Sequence, residues 1–153
     1  MPEKQVTVAE AKVIAFRYLA RREHACRELR DKLLRRGVPP GVAAEAIAEL
    51  ASEGLVSDER FTQAYTRSRI SRLFGPMKIR AELMKRGIAS DLIDEVLALH
   101  DDCWTESAQQ WVLKRCGSEL DRNEKARLYR SGTNRGFSHE HMMRAFDAIR
   151  SGE

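Results

Sequence analysis

The sequence predicts an all-α fold, an elongated array of tandem three-helix repeats, on three observations. A ten-residue segment nearly recurs: Leu29-Arg30-Asp31-Lys32-Leu33-Leu34-Arg35-Arg36-Gly37-Val38 returns as Ile79-Arg80-Ala81-Glu82-Leu83-Met84-Lys85-Arg86-Gly87-Ile88, fifty positions on. Asn134-Arg135-Gly136-Phe137 echoes it a third time. A period of this size is the mark of stacked helical units, each of which needs a neighbour to bury its apolar face. Apolar residues recur at helical spacing, as in Ala11, Ile14, Ala15, Tyr18 and Leu19. Only 9 Gly and 4 Pro are present, and no alternating Val/Ile/Thr run is found, which disfavours sheet. The repeats are expected at 1–56, 57–102 and 103–153.

In the first repeat, the stripe from Ala11 to Leu19 marks the first helix. The second runs from about Ala25 to Arg36, with Cys26, Leu29 and Leu33 as its buried seam. Gly37 falls where a left-handed residue ends a helix, behind cations that suit the negative pole. Pro39, Pro40 and Gly41 read as a turn. The third helix buries Val42, Ala43, Ala46, Ile47 and Leu50. In the second repeat, Ser57 or Asp58 caps a helix whose inner face holds Phe61, Ala64, Tyr65 and Ser68. Gly75-Pro76 opens the next helix and Gly87 closes it. Ile79 and Leu83 there match Leu29 and Leu33. Ser90 caps a closing helix with Leu92, Ile93, Val96 and Leu97 inside.

The third repeat departs from the pattern. Trp104, Ala108, Trp111 and Val112 form its first stripe. Phe137, Met142, Ala145, Phe146 and Ile149 match the closing helices. In the middle helix, Leu128 keeps the seam but Gly132 stands where Leu33 and Leu83 were. Ser131-Gly132-Thr133-Asn134 reads as a turn, so this helix is expected to be short or frayed.

With 153 residues, 42% of them apolar, the chain can bury a core and is not disordered. Charged residues reach 33% and aromatics only 7%, the profile of charged helices with thin aliphatic seams. The net charge is +4. From Arg60 to Ser90 there are eight Lys/Arg and one acid, Glu82; from Asp91 to Glu106 there are six acids and no Lys or Arg. Cys26, Cys103 and Cys116 form no Cys-x-x-Cys pair, so a disulfide framework and a zinc knuckle are both unsupported. Reduced thiols in a cytoplasmic protein are expected. The N-terminus has no signal-peptide core, and no apolar run approaches the ~20 residues that span a bilayer.

No phosphate-binding glycine loop, nucleophile elbow or Ser-His-Asp arrangement is present, so an enzyme is not expected. His100-Asp101-Asp102-Cys103 lacks further His and Asp partners and reads as a polar linker, not a metal or hydrolase centre. His139 and His141 diverge on a helix and cannot chelate from one face. Trp104 and Trp111 share a face and read as core, with a partner interface as the alternative. What remains is charge. Arg35-Arg36-Gly37 and Lys85-Arg86-Gly87 place paired cations at equivalent helix ends. Arg67, Arg69, Arg72, Lys78 and Arg80 add to the middle repeat. These nine cations are the candidate partner- or DNA-binding face, since spaced positive spots suit a regular charged polymer. The alternative is a solvated helix surface. Direct base reading is unsupported, because stacking aromatics are missing.

Glu53-Gly54-Leu55-Val56-Ser57-Asp58-Glu59-Arg60-Phe61, followed by Gly75-Pro76, Ile79, Glu82-Leu83 and Gly87-Ile88, strongly resembles the central region of the RecX regulatory proteins. Arg22-Glu23-His24 with Glu28-Leu29, Lys32 and Leu33 resembles that family's first unit. The match extends from about Ala11 to Ile149. Ala25 departs from it, standing where a capping Ser is common; so does Ser131-Gly132-Thr133, in place of an apolar-rich run. The resemblance implies an all-helical regulator of the RecA recombinase with no catalytic site and no cofactor. It implies binding to the RecA–single-stranded DNA filament, in its groove or at its growing end. Suppressed ATP hydrolysis, strand exchange and coprotease activity would follow, with a place in DNA repair and the SOS response. A cytoplasmic monomer without membrane contact is expected, with direct DNA contact left open. The rival reading is a general DNA-binding protein, against which the acidic stretch Asp91–Glu106 speaks.

Overall fold

The computed structural model describes residues 5–117 and 119–152. Among the described residues nine helices follow one another and no strand occurs: α1 (Val8–Leu19), α2 (Cys26–Arg35), α3 (Pro40–Ser52), α4 (Asp58–Ser71), α5 (Pro76–Lys85), α6 (Ser90–Ala98), α7 (Trp104–Arg115), α8 (Arg122–Arg135) and α9 (His139–Arg150). The all-α expectation therefore holds. The chain packs as two compact units. One holds the described residues up to Ala64 together with Arg86–Ile88; the other holds Tyr65–Lys85 and the described residues from Ala89 onward.

In the first unit, α1, α2 and α3 close on one core. Ala11, Ala15, Leu29, Leu33, Ala43, Ala46 and Leu50 are buried there, with Ile14, Tyr18, Leu19, Val42 and Ile47 partly buried around them. Burying a leucine such as Leu29 or Leu33 contributes about 1.5–3 kcal/mol. Thr7 caps α1 by accepting the Glu10 N–H at 3.1 Å. After α2, Gly37 takes φ +85° and the Val38 N–H returns to the Leu33 carbonyl at 3.1 Å. That bond closes the helix end over the left-handed glycine, on a carbonyl that also accepts the Arg36 N–H at 3.1 Å. Pro39-Pro40-Gly41 is not a separate turn. Pro39 is the extended residue before α3, Pro40 is its first residue and Gly41 its second. A proline tolerates the first helical position because the N–H it lacks would have no partner there.

At α2 the missing hydroxyl of Ala25 has a substitute. Ala25 makes no side-chain cap, but Asp58 Oδ1 accepts the Cys26 N–H at 2.8 Å. A carboxylate at this end also favours the positive pole of α2. The cap of α4 is Ser57, whose Oγ accepts the Arg60 N–H at 3.1 Å. The inner face of α4 is rotated from the expected one: Phe61, Thr62 and Thr66 are buried and Ser68 is exposed. Threonine carries a methyl group that packs like an apolar residue, so polarity hid these two positions.

In the second unit, Ile79 and Leu83 of α5 and Ile93, Val96 and Leu97 of α6 are buried. Ser90 is the first residue of α6, not its cap; Ala89 occupies the cap position without a side-chain bond. Trp111, Leu128, Phe137, Met142, Ala145 and Phe146 belong to one core built by α7, α8 and α9. Both tryptophans are 3% exposed, in accord with a core role.

The expectation of a frayed middle helix in the third repeat is overturned. The helix α8 is 14 residues long and contains Ser131-Gly132-Thr133-Asn134. Gly132 is buried, and a β-carbon there would lie 2.5 Å from Met142 Sδ and 3.2 Å from the Trp111 ring. Two large side chains fill the space that a leucine occupies in the other repeats. A glycine costs a helix interior about 1 kcal/mol, which this packing offsets. The helix ends instead at Gly136, with φ +107°.

Candidate functional site

The nine candidate cations divide into committed and free side chains. Arg69 lies one turn after Tyr65 on α4, so both reach Glu82 on α5. Tyr65 Oη donates to Glu82 Oε2 at 2.7 Å, Arg69 Nε donates to Tyr65 Oη at 3.2 Å, and the Arg69 guanidinium pairs with the same carboxylate oxygen. Burial opposes the Arg69 charge, but the bonds to Tyr65 and Glu82 outweigh it and hold its pKa above the usual range. The Arg69 guanidinium also lies 4.5 Å from the Phe74 ring, and Arg135 approaches that ring to 3.6 Å. Arg135 Nε donates to the Leu73 carbonyl at 2.9 Å and its terminal nitrogen to the Arg72 carbonyl. Burial, then the charges of Arg115 and Arg69, push the Arg135 pKa down. Arg69 is thus a structural clamp between α4 and α5.

Arg80 is also paired: its Nε donates to Asp94 Oδ1 at 2.8 Å. Arg80 holds the Asp94 carboxyl below its ordinary range. Arg86 approaches Glu28 Oε2 at 3.8 Å. Glu28 is already gripped by Arg22 through bonds of 3.1 and 2.7 Å. Burial works against this carboxylate, but Arg22 more than compensates and its pKa falls.

Arg35, Arg36, Arg67, Arg72, Lys78 and Lys85 are exposed, and their charged groups form no ion pair among the described residues. Arg35 and Arg36 stand at the end of α2 in the first unit. In the second unit, Lys78 and Lys85 lie two turns apart on one side of α5. They line a shallow groove of about 450 Å³ with Ala81, Glu82 and Met84. Met77 and Met84 are 58% and 48% exposed. The first unit has an apolar groove of about 400 Å³, lined by Lys12, Val13, Phe16, Arg17, Leu50 and Leu55. Arg122 and Arg130 on α8 are further exposed cations, outside the nine that the sequence singles out. The signal for them is the composition of α8, five Lys/Arg and the single acid Glu124, which the turn-like Ser131-Gly132-Thr133-Asn134 masks.

The histidines have structural partners. His24 is 2% exposed. Its Nδ1 faces the Arg22 carbonyl at 3.1 Å and its Nε2 faces Lys32 Nζ at 2.9 Å. A carbonyl only accepts, so Nδ1 carries the proton and Nε2 accepts from the ammonium. Burial is the main reason the His24 pKa is lowered, with the charges of Arg22 and Lys32 adding to it. His141 completes a capping box: Ser138 Oγ accepts the His141 N–H, and His141 Nδ1 accepts the Ser138 N–H at 3.2 Å. His139 Nδ1 lies 3.0 Å from Tyr129 Oη. Among the described residues no cluster of three His, Cys, Asp or Glu side chains is arranged to hold a metal. No helix among them is long and apolar enough to cross a membrane.

The class defined by this fold is a tandem three-helix protein with lysine and arginine on its outer faces. The model of RecX, first three-helix domain, matches residues 11–50, and that of RecX, second three-helix domain, matches residues 57–97. A regulatory protein RecX from Halorhodospira halophila is 42% identical over 126 residues, covering 81% of this chain and 78% of its own. One from Xanthomonas axonopodis pv. citri is 41% identical over 105 residues, covering 69% of this chain and 65% of its own. The crystal structure of RecX from Lactobacillus salivarius matches with a TM-score of 0.84 at 22% identity, over 94% of this chain and 96% of that one. A second crystal structure of regulatory protein RecX gives a TM-score of 0.79 at 23% identity, over 92% of this chain and 73% of that one. The chain belongs to the RecX family of regulatory proteins.

Proposed function

We propose that this protein binds the RecA–single-stranded DNA filament in the cytoplasm and inhibits RecA ATP hydrolysis, strand exchange and coprotease activity. It acts as a monomer, by contact and without chemistry of its own. Family membership carries this reading. The free cations Arg35, Arg36, Arg67, Arg72, Lys78 and Lys85 are the proposed contacts, because a side chain without an internal partner can pair with a partner's acids or with phosphate at little cost. Arg69, Arg80 and Arg86 serve the fold first. The three repeats 1–56, 57–102 and 103–153 are the proposed functional divisions.

The test is the single-stranded-DNA-dependent ATPase of RecA as this protein is titrated in, with binding to bare single-stranded DNA followed in the same buffer. Inhibition below one protein per RecA, before bare DNA is occupied, supports filament recognition. Inhibition only once the DNA is saturated overturns it. The exposed Arg122 and Arg130 on α8 favour a second reading, direct contact with DNA phosphates. A steep fall in affinity with salt, of equal slope for DNA and filament, would favour that reading.

A further inference from the structure

The outer face of α5 is half cationic and half apolar. We propose that it receives an acidic amphipathic helix of a partner protein. Lys78 and Lys85 are seven residues apart, so they stand on one edge about 10 Å from each other along the helix. Met77 and Met84, also seven apart, form a parallel exposed edge. Ala81 lies between the edges, and its small side chain leaves the groove of about 450 Å³. A facing helix places residues at the same seven-residue spacing. Its carboxylates would meet the two lysines, and its leucines or phenylalanines would settle on the two methionines.

Three observations favour protein over nucleic acid. A thioether offers no N–H or O–H to a phosphate, and backbone contacts to nucleic acid are made by such donors. The α5 segment Pro76–Lys85 contains no aromatic residue on which a base could stack. Methionine is flexible and polarisable, and suits an apolar surface that adapts to a helix. The charge is complementary as well: Glu82, the one carboxylate in the groove, is already paired with Arg69 and Tyr65. The clamp also fixes α5 against α4, so the face is presented on a braced element.

This inference rests on the reading that the partner is RecA, but its test separates the two. Three probes are used with the full chain: the RecA–single-stranded DNA filament, a bare oligothymidylate, and a synthetic helical peptide with glutamates and leucines on one face. A composition-matched scrambled peptide is the control. Met77→Ser with Met84→Ser, at positions 58% and 48% exposed, should change the melting temperature little, the one bond lost being that from Arg80 Nη1 to Met84 Sδ at 3.2 Å. It should weaken peptide and filament binding by about tenfold and leave oligothymidylate binding unaltered. Ala81→Glu, which places a like charge in the groove, should abolish peptide binding. Peptide-induced amide shifts should centre on α5.

Equal binding of the scrambled peptide overturns the proposal. So does peptide binding that survives both variants, self-association of the chain through α5, or occupancy of α5 by oligothymidylate with only the lysines mattering. If the peptide seats on α5 while the wild-type protein ignores the filament, the docking face stands and the RecA reading falls. If filament binding occurs but is indifferent to the methionines and to Ala81→Glu, the RecA reading stands and the docking face falls.

Discussion

Met142 Sδ lies 2.5 Å from the point a β-carbon on Gly132 would occupy. The two residues share one volume: α8 gives up a side chain so that α9 can fill the space. Met142 is fully buried and cannot swing into solvent. Restoring the repeat pattern with Gly132→Leu should therefore overpack the core and destabilise by about 1–3 kcal/mol. Gly132→Leu with Met142→Ala should recover part of that loss. Urea unfolding of the two variants checks it; a stabilising Gly132→Leu would refute shared volume.

Asp58 supplies the cap that Ala25 cannot. Asp58→Ala should cost about 1 kcal/mol by leaving the Cys26 N–H without its acceptor. The same change should act on the thiol. Burial pushes Cys26 up to about 11, and the Asp58 charge adds to it. Alkylation of Cys26 at a fixed alkaline pH should therefore be faster in Asp58→Ala. An unchanged rate would mean that the carboxylate has no hold on this thiol.

His24 and His141 hold their bonds in the neutral form. Both pKa values are pushed below 6.5, mainly by burial. The folded state then binds fewer protons than the unfolded state between the lowered values and 6.5. Stability should rise with pH across that window, be fully present above 6.5, and be lost as pH falls through it. Protonated His24 would point a donor at the Lys32 ammonium, and protonated His141 would lose the acceptor of the capping box. Melting temperatures from pH 7.5 downward, with the histidines titrated by NMR, check this. A flat profile over the range would contradict it.

Arg135 ties the loop after α4 to the end of α8. Its bonds to the Leu73 and Arg72 carbonyls hold Leu73 at φ +62°, a conformation unusual for a leucine. Next to it, the Gly75 N–H donates to the Arg135 carbonyl and the Met77 N–H to the Gly136 carbonyl, both at 3.0 Å. A β-carbon on Gly75 would meet the Gly136 backbone at 2.2 Å. Arg135→Leu should destabilise by about 1–3 kcal/mol and speed hydrogen exchange at the Gly75 and Met77 amides first. Uniform acceleration across the second unit would count against a local tie.

The free and committed cations should behave differently. Lys85→Glu should weaken inhibition of RecA ATPase while the melting temperature stays fixed. Arg86→Glu should also lower the melting temperature slightly, by no more than about 1 kcal/mol in stability, because it sets a carboxylate beside Glu28. Arg69→Ala should destabilise most, since it breaks the clamp with Glu82. Equal melting temperatures for all three would dissolve the distinction.

Helical periodicity places most of the helices and most of the seams that bury them, the course of α8 and the inner face of α4 excepted. Leu29, Leu33, Ile79 and Leu83 were legible because helical periodicity is local, and Gly37 and Gly87 because a left-handed residue favours glycine. The repeat and the motif from Glu53 to Ile88 also sufficed to indicate the family. Tertiary structure decided what depends on residues far apart in the chain. Gly132 looked like a helix breaker until Met142 and Trp111 filled its place. Ala25 looked uncapped until Asp58 reached across. Nine cations looked equivalent until Glu82, Asp94 and Glu28 claimed three of them. The reason is range: helix propensity and apolar pattern act within a few residues, whereas steric complementarity and charge pairing are fixed only when distant segments meet.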